Sequence, residues 1–492
     1  MPPLPGIPNQ GLKNAALAPD QSAFSMLANG IDGLAARLEL IGAARQELDL
    51  QYYIFRGDVS GTLVSQALLR AADRGVQVRI LVDDGESVAG DERLFALAAH
   101  PFIQIRVFNP FNYRGHNRAA RALDFVFHKK RLDHRMHNKL IVADNALALI
   151  GGRNVGDQYF QIAPDSQFGD DDVAVEGPLV SQLSGVFDEF WNSPLSIPIG
   201  GLEPEHASQQ ALEAFRTSTP AVRAQSTFDS DLAKRLASGE PLAGAVEGRT
   251  HLSVATAQVI YDSPDKGRVL AGAAPRKLIY AEVEARASDM TTELLMITPY
   301  FVPSPKQLDL LKSARGRNVH VRVLTNSLEA APDVTPHAGY SRFRPALLGA
   351  GMELFEIRAR VESAKGTGQP TKLSRRGNYA LHAKLYVFDR QSLFVGSLNF
   401  DQRSEHLNTE IGLLIDSPEL AVGAAKRFES LTQPSNAYAV KLEGGESAAF
   451  RHLIWVTEKD GVTTEQSVEP ARSGWQRFKM RVLTWLPLDK EL

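Results

Sequence analysis

The stretch Met136-His137-Asn138-Lys139-Leu140-Ile141-Val142-Ala143-Asp144 returns 245 residues later (382 − 137) as Leu381-His382-Ala383-Lys384-Leu385-Tyr386-Val387-Phe388-Asp389. Each copy runs on through apolar residues to a small-residue turn ending in asparagine, Gly151-Gly152-Arg153-Asn154 and Gly396-Ser397-Leu398-Asn399. Lysine to asparagine is 15 residues both times (154 − 139 and 399 − 384). A second pair of segments, Val78-Arg79-Ile80-Leu81 and Val321-Arg322-Val323-Leu324, is offset by 243 (321 − 78). So long a period fits two fused domains of one kind, and not a solenoid.

Side chains two apart on a strand share a face, so each histidine is expected to project with its lysine. Leu140-Ile141-Val142 and Leu385-Tyr386-Val387 are β-formers suited to burial. Asp144-Asn145 and Asp389-Arg390-Gln391-Ser392 read as turns, and Ala146 to Ile150 and Leu393 to Val395 as return strands, so each motif is a hairpin. The closing glycine lets backbone approach a ligand, and the asparagine brings an amide donor. Paired imidazoles, ammonium groups and amides suit a phosphodiester. Lys139, Lys384, Asn154 and Asn399 would hold non-bridging oxygens, with Gly152 and Ser397 against the substrate. An ammonium group beside each histidine would repel a metal ion, so neither metal nor cofactor is expected.

The pattern His-x-Lys-x4-Asp followed by Gly-Gly/Ser-x-Asn, present twice, resembles the phospholipase D superfamily over about residues 35 to 440. Gln51-Tyr52-Tyr53-Ile54-Phe55, Phe190-Trp191-Asn192-Ser193-Pro194 and Leu407-Asn408-Thr409-Glu410-Ile411-Gly412 are most similar to its bacterial cardiolipin synthase C branch. The resemblance implies two pseudo-symmetric α/β domains, each a mixed sheet flanked by helices, with one active site at their interface. It also implies that the first histidine attacks phosphorus. His137 is then the nucleophile that forms a phosphohistidine, and His382 the group that protonates the leaving alcohol and deprotonates the incoming one; the pseudo-symmetry leaves the reverse assignment open.

A histidine with two roles to share needs a partner to set its tautomer. Glu410 and Asp172, which begin corresponding strands after the two motifs, are the candidates, with Asp170 a rival for Asp172. Asp144 and Asp389 sit at the hairpin turns, away from the lysines, and read as structural. Arg153, Tyr159, Arg403 and Ser404 lie beside the motifs and read as pocket-shaping, whereas Asp83-Asp84, His128 and His134 read as ordinary strand-end or surface residues.

The rest of the chain alternates strand and helix, an α/β signature. The expected organisation is an arm at 1–22, a first domain at 23–200, a linker with helices at 201–247, a second domain at 248–440, and a hairpin and amphipathic helix at 441–492. Helical spacing of Leu34, Leu38, Ile41 and Ala44 extends a predicted helix from Ala23 to Gln46. In the tail, Trp475, Phe478, Val482 and Trp485 recur at helical spacing among Arg477, Lys479 and Arg481. That stripe reads either as an interfacial helix on an anionic bilayer or as a face packed on the protein.

A net charge of −3 lacks the basic excess expected of a nucleic-acid binder, so no nucleic acid is expected as partner. The absence of cysteine rules out disulfides, thiolate nucleophiles and cysteine metal sites. No stretch approaches the roughly 20 apolar residues of a membrane span, and the start, Met1-Pro2-Pro3-Leu4-Pro5, has no signal-like character. The expected enzyme moves a phosphatidyl group between alcohols, making cardiolipin from phosphatidylglycerol and a second phospholipid such as phosphatidylethanolamine. It would act peripherally on a bacterial inner membrane, on either face. A phospholipase D-type hydrolase, a nuclease and a non-catalytic membrane binder are the competing readings. The last has no need of two intact histidine motifs.

Overall fold

A computed structural model describes residues 17–85, 91–115, 117–163, 166–202, 208–217, 232, 234, 252–267, 277–361, 378–443, 452–459 and 461–485. Most of the expected arm and linker lies outside these residues. The chain divides into two compact units, the first comprising Met1–Ile162, Asp171–Leu278 and Leu407–Leu413, the second Ala163–Asp170, Ile279–His406 and Leu414–Leu492. Each unit thus takes a short segment from the other half of the sequence.

Along the first half the strands are β1 (Gln21–Leu27), β2 (Glu47–Tyr52), β3 (Gln77–Asp83), β4 (Ile103–Phe108), β5 (Lys139–Ala143), β6 (Leu147–Gly151), β7 (Ser166–Gly169), β8 (Asp172–Glu176), β9 (Ser196–Pro198) and β10 (Ser253–Tyr261). All but β7 build one sheet of the first unit in the order β9-β4-β3-β2-β5-β6-β8-β1-β10, parallel across β4-β3-β2 and antiparallel elsewhere. Residues alternate between its faces. Leu48 and Leu50 of β2 join Leu34, Leu40 and Ile41 of helix Gly30–Ala43 and Leu68 of helix Val59–Asp73 in one core. Asp49, between them, is bound by Arg79 at 2.6 Å, and Arg79 also reaches Asp188 of helix Leu179–Trp191 at 2.7 Å. The sheet is therefore sandwiched between helices.

One expectation is corrected here. Ala23 to Leu27 is strand, not the start of a helix: β1 pairs with both β8 and β10, and Asn29 caps the helix that follows by accepting from the Ile31 and Asp32 N–H groups. Tertiary pairing on both edges overrides a local spacing that also fits a helix.

The second half supplies β11 (Glu293–Ile297), β12 (Phe301–Val302), β13 (His320–Asn326), β14 (Glu353–Ile357), β15 (Asn378–Leu381), β16 (Leu385–Phe388), β17 (Ser392–Gly396), β18 (Phe400–Asp401), β19 (Ile411–Asp416), β20 (Ala437–Glu443), β21 (His452–Lys459) and β22 (Val462–Gln466). In the second unit β17-β16-β11-β13-β14-β20-β21-β22 follow one another, with β11, β13 and β14 parallel. The run β14-β13-β11-β16-β17 repeats β4-β3-β2-β5-β6 in order and direction, so the duplication is one of topology. β15 pairs in parallel with β7, and β12 with β18.

The tail helix Gly474–Thr484 is held on the second unit by Met480, which packs on Leu328 and Ala338, and by Gln476, whose Nε2 donates to the Leu328 carbonyl at 2.7 Å. Its aromatic stripe stays outside: Trp475, Phe478 and Val482 are exposed, and Trp485, just past the last turn, is 88% exposed. Among the described residues no helix is long and apolar enough to cross a membrane.

Candidate active site

Each motif hairpin turns through two residues with positive φ, Asp144 and Asn145 (both 51°) in one and Asp389 and Arg390 (52° and 54°) in the other, as a tight two-residue turn demands. The Asp144 carboxylate accepts the N–H groups of Arg45, Gln46 and Glu47 at 2.7–2.9 Å, fixing the start of β2. Asp389 does the same for Thr291, Thr292 and Glu293 before β11. Burial disfavours its charge, but these donors and the Thr292 hydroxyl outweigh that and hold it at about 2.

In the first unit His137 lies just before β5. Its N–H donates to the Thr409 carbonyl at 2.9 Å, and Met136 bridges to Thr409. This places Glu410 against the ring, with His137 Nδ1 2.8 Å from Oε2. Glu410 is fully buried, and its strand is clamped in turn: its N–H donates to Asp262, the Asp262 N–H donates back to its carbonyl, and Lys266 bonds both Asp262 and the Asn408 carbonyl. Tyr53 meets the imidazole edge-on at 5.1 Å and lies under the Lys139 ammonium at 5.4 Å. Lys139 is buried and donates to the His137 carbonyl. Asn154 accepts from the Ile54 N–H through Oδ1, while its buried Nδ2 has no partner, a donor of the kind a phosphoryl oxygen takes up.

The second unit repeats the arrangement with different parts. His382 and Ala383 donate their N–H groups to the Gly169 carbonyl, extending the β15–β7 pairing, and the next residue, Asp170, puts Oδ2 2.6 Å from His382 Nδ1. Phe168 stacks on the imidazole at 5.4 Å. The buried Lys384 ammonium lies 3.0 and 3.2 Å from the two ring nitrogens of His382 and donates to its carbonyl. Asn399 is buried with an unpartnered amide oxygen, and a half-turn of the amide would present a donor there.

The histidine partners are therefore crossed. Glu410, from beyond the second motif, serves His137, and Asp170, from beyond the first, serves His382. Asp172 is not that partner. Its carboxylate is held by Arg37 at 2.9 Å and Arg153 at 3.1 Å, because as first residue of β8 it faces helix Gly30–Ala43. Burial alone would weaken the Arg37 cation, but the facing carboxylate raises its pKa. Arg153 also donates to the Leu27 and Ala28 carbonyls and is fully buried, so it fastens β1 and does not line a pocket.

The glycine turn needs a second correction. A Cβ on Gly151 would lie 2.4 Å from the Asp171 carbonyl oxygen, and the Gly152 N–H is spent on that same carbonyl at 3.0 Å, so the first glycine makes room for a neighbouring strand. Ser397 is fully buried, Tyr159 nearly so, and Ser404 donates its N–H to Asp401. Tyr53, Phe168, Asp262 and Lys266 were not singled out from the sequence. Tyr53 lies within Gln51–Phe55, a stretch that carried the resemblance, but the other three have no local signal.

With Nδ1 of each ring against a carboxylate, Nε2 is the nitrogen left for a substrate, and such a carboxylate would stabilise an imidazolium. Buried lysine and asparagine beside it suit a charged phosphoryl group.

A family model described as cardiolipin synthase, PLD-like domain, matches residues 38–191 and 285–432. The chain is similar to cardiolipin synthase C of Escherichia coli (strain K12), 34% identical over 476 residues and 96% of each chain. It is also similar to the major cardiolipin synthase of Bacillus subtilis (strain 168), 25% identical over 92% of this chain and 76% of that one. Among solved structures, a phosphatidylserine synthase of Haemophilus influenzae shares the fold, with a TM-score of 0.56 and 13% identity over 85% of this chain and 87% of the other.

Proposed function

Since the chain belongs to the PLD-like domain family of the cardiolipin synthases, phospholipase D-type phosphatidyltransferases, we propose that it makes cardiolipin from phosphatidylglycerol and a second phospholipid through a phosphohistidine on His137. The observation that carries this reading is the matched pair of Nδ1–carboxylate contacts, His137 with Glu410 and His382 with Asp170. Each is on a histidine two residues before a buried lysine. A pair of like residues set up alike can share one reaction, one as the nucleophile and the other as acid and then base.

In the first step His137 Nε2 bonds to phosphorus and the bond from phosphorus to the headgroup oxygen breaks, while His382 gives its Nε2 proton to that oxygen. In the second, the glycerol hydroxyl of a phosphatidylglycerol loses its proton to His382 as its oxygen bonds to phosphorus, and the nitrogen–phosphorus bond breaks. Lys139, Lys384, Asn154 and Asn399 bind the non-bridging oxygens throughout, where charge develops. Water in place of the alcohol would give phosphatidic acid by the same route. The enzyme works as a peripheral protein of an anionic membrane, with the exposed aromatic stripe of Gly474–Thr484 as one point of hold.

The phosphorus–nitrogen bond of a phosphohistidine survives alkali and not acid, which provides the test. Turnover quenched into alkaline denaturant should leave a phosphatidyl adduct, or the glycerophosphoryl group that remains once alkali removes its acyl chains, on the peptide that contains His137. An adduct on the His382 peptide would reverse the two roles, and turnover without adduct on either would remove the covalent intermediate.

A further inference from the structure

We propose that helix Arg118–Phe127 is the element with which the first unit enters an anionic phospholipid surface, a reading that rests on the lipid substrate inferred above. The helix is turned the opposite way from an ordinary amphipathic one. Its carboxylate, Asp124, is inside, accepting from the Tyr113 N–H at 2.9 Å and Asn112 Nδ2 at 3.0 Å. Leu123, Val126 and Phe127, three and four residues apart on one face, are 57%, 67% and 78% exposed. Single exposed apolar residues are ordinary, but a contiguous helix face of them is a binding surface. His128 and Lys129 follow directly, paired with Asp124 at 2.8 Å and Asp133 at 3.8 Å, and after them Lys130 is exposed, so the apolar face ends in a basic rim. Apolar face and basic rim together fit a bilayer of anionic headgroups.

The helix is also tied to the catalytic residue. At the end of β3 the buried Asp84 accepts from the Phe111 N–H and from Arg114, and its carbonyl accepts from Arg121, which lies over the Phe111 ring at 4.0 Å. The neighbouring buried Asp83 accepts from the Met136 N–H at 2.8 Å and from Arg135 at 3.0 Å. Asn109 closes the base of the insertion, donating to the Arg131 and His134 carbonyls at 2.8 Å. Two adjacent carboxylates therefore hold the root of the exposed helix and the residue before His137. A membrane that takes up the helix thereby places His137 at a set distance from its surface.

The chain has no cysteine, so Phe127→Cys carries a single site for an environment-sensitive fluorophore. Phosphatidylglycerol vesicles should shift its emission to the blue. Replacing Leu123, Val126 and Phe127 together by serine should weaken vesicle partitioning on the order of a hundredfold, since each apolar side chain taken out of water moves an equilibrium by up to about tenfold. All three are exposed, so the triple variant should melt as the parent does. An unchanged spectrum with vesicles, whether or not the protein sediments with them, overturns the proposal. So does a spectral change that follows protein concentration without lipid, with dimers in gel filtration, which would make the face a contact between two copies. Insertion without phosphatidyl transfer would count against the proposed function alone, and transfer without insertion against this helix alone.

Discussion

At the scale of single residues, His137 and His382 stand out because each is itself buried, stands two residues before a buried lysine and has a buried carboxylate on Nδ1; exposed His128 has only the last of these, from Asp124. Histidine, lysine and asparagine are legible in the sequence because their spacing repeats. Glu410 is legible as the acid that opens a strand after the second motif, whereas Asp170 is only a rival to Asp172, because all three aspartates of that run are buried and no local pattern says which meets His382. Asp170 is the last residue of a segment belonging to the second unit, and Asp171 the first of the next segment of the first unit. One step along the chain thus changes the unit served. The motif aspartates do other work. Asp389, held at about 2 by backbone donors, contributes stability that is fully present above the usual carboxylate value of 3.8 and is lost as pH falls through about 2. Asp389→Asn should remove about 1 kcal/mol after screening at this half-exposed turn, and flatten the acid limb of stability between those values, measured by urea unfolding across pH. A variant of normal stability and no activity would place Asp389 in the chemistry.

At the scale of elements, β4 and β14 were not singled out from the sequence, but the hairpins, their turns and the strand pairs β2, β3 and β11, β13 follow from apolar β-forming runs and turn residues. β1 and the short β7 do not, since both are defined by partners far away in sequence. β7 is the more consequential, because its Gly169 accepts from the His382 and Ala383 N–H groups immediately before Asp170. A Cβ on Gly169 would lie 1.8 Å from the Tyr379 hydroxyl, so Gly169→Ala requires the Tyr379 ring or β7 itself to move, and Asp170→Asn is the direct test of what β7 positions. That substitution takes the carboxylate away from the His382 ring. Loss of an orienting carboxylate should lower kcat by roughly 10²–10⁴ with little change in KM. Wild-type kcat in a folded Asp170→Asn protein would show that His382 does not depend on Asp170.

At the scale of the whole molecule, the duplication read from two short motifs is a duplication of sheet order, and the short exchanged segments are its least predictable feature. The tail was legible only as an amphipathic stripe. The structure divides the labour: Met480 packs, while Trp475, Phe478, Val482 and Trp485 face outward. Trp475→Ser with Trp485→Ser should therefore weaken sedimentation with phosphatidylglycerol vesicles and leave the melting temperature and the rate on a short-chain dispersed substrate unchanged. Added salt should weaken binding of the parent, since screening acts within about 10 Å at 0.1 M. Lost thermal stability with normal sedimentation would mean that the stripe serves the fold.

The central claim, transfer of a phosphatidyl group to a lipid alcohol, is tested most directly by the lipid products themselves. Purified protein is incubated with phosphatidylglycerol vesicles, with and without phosphatidylethanolamine, and the lipids are read by mass spectrometry beside His137→Ala and His382→Ala. The account predicts cardiolipin from the parent and none from either variant. Phosphatidic acid without cardiolipin, or cardiolipin from either histidine variant at the parent's rate, would contradict it.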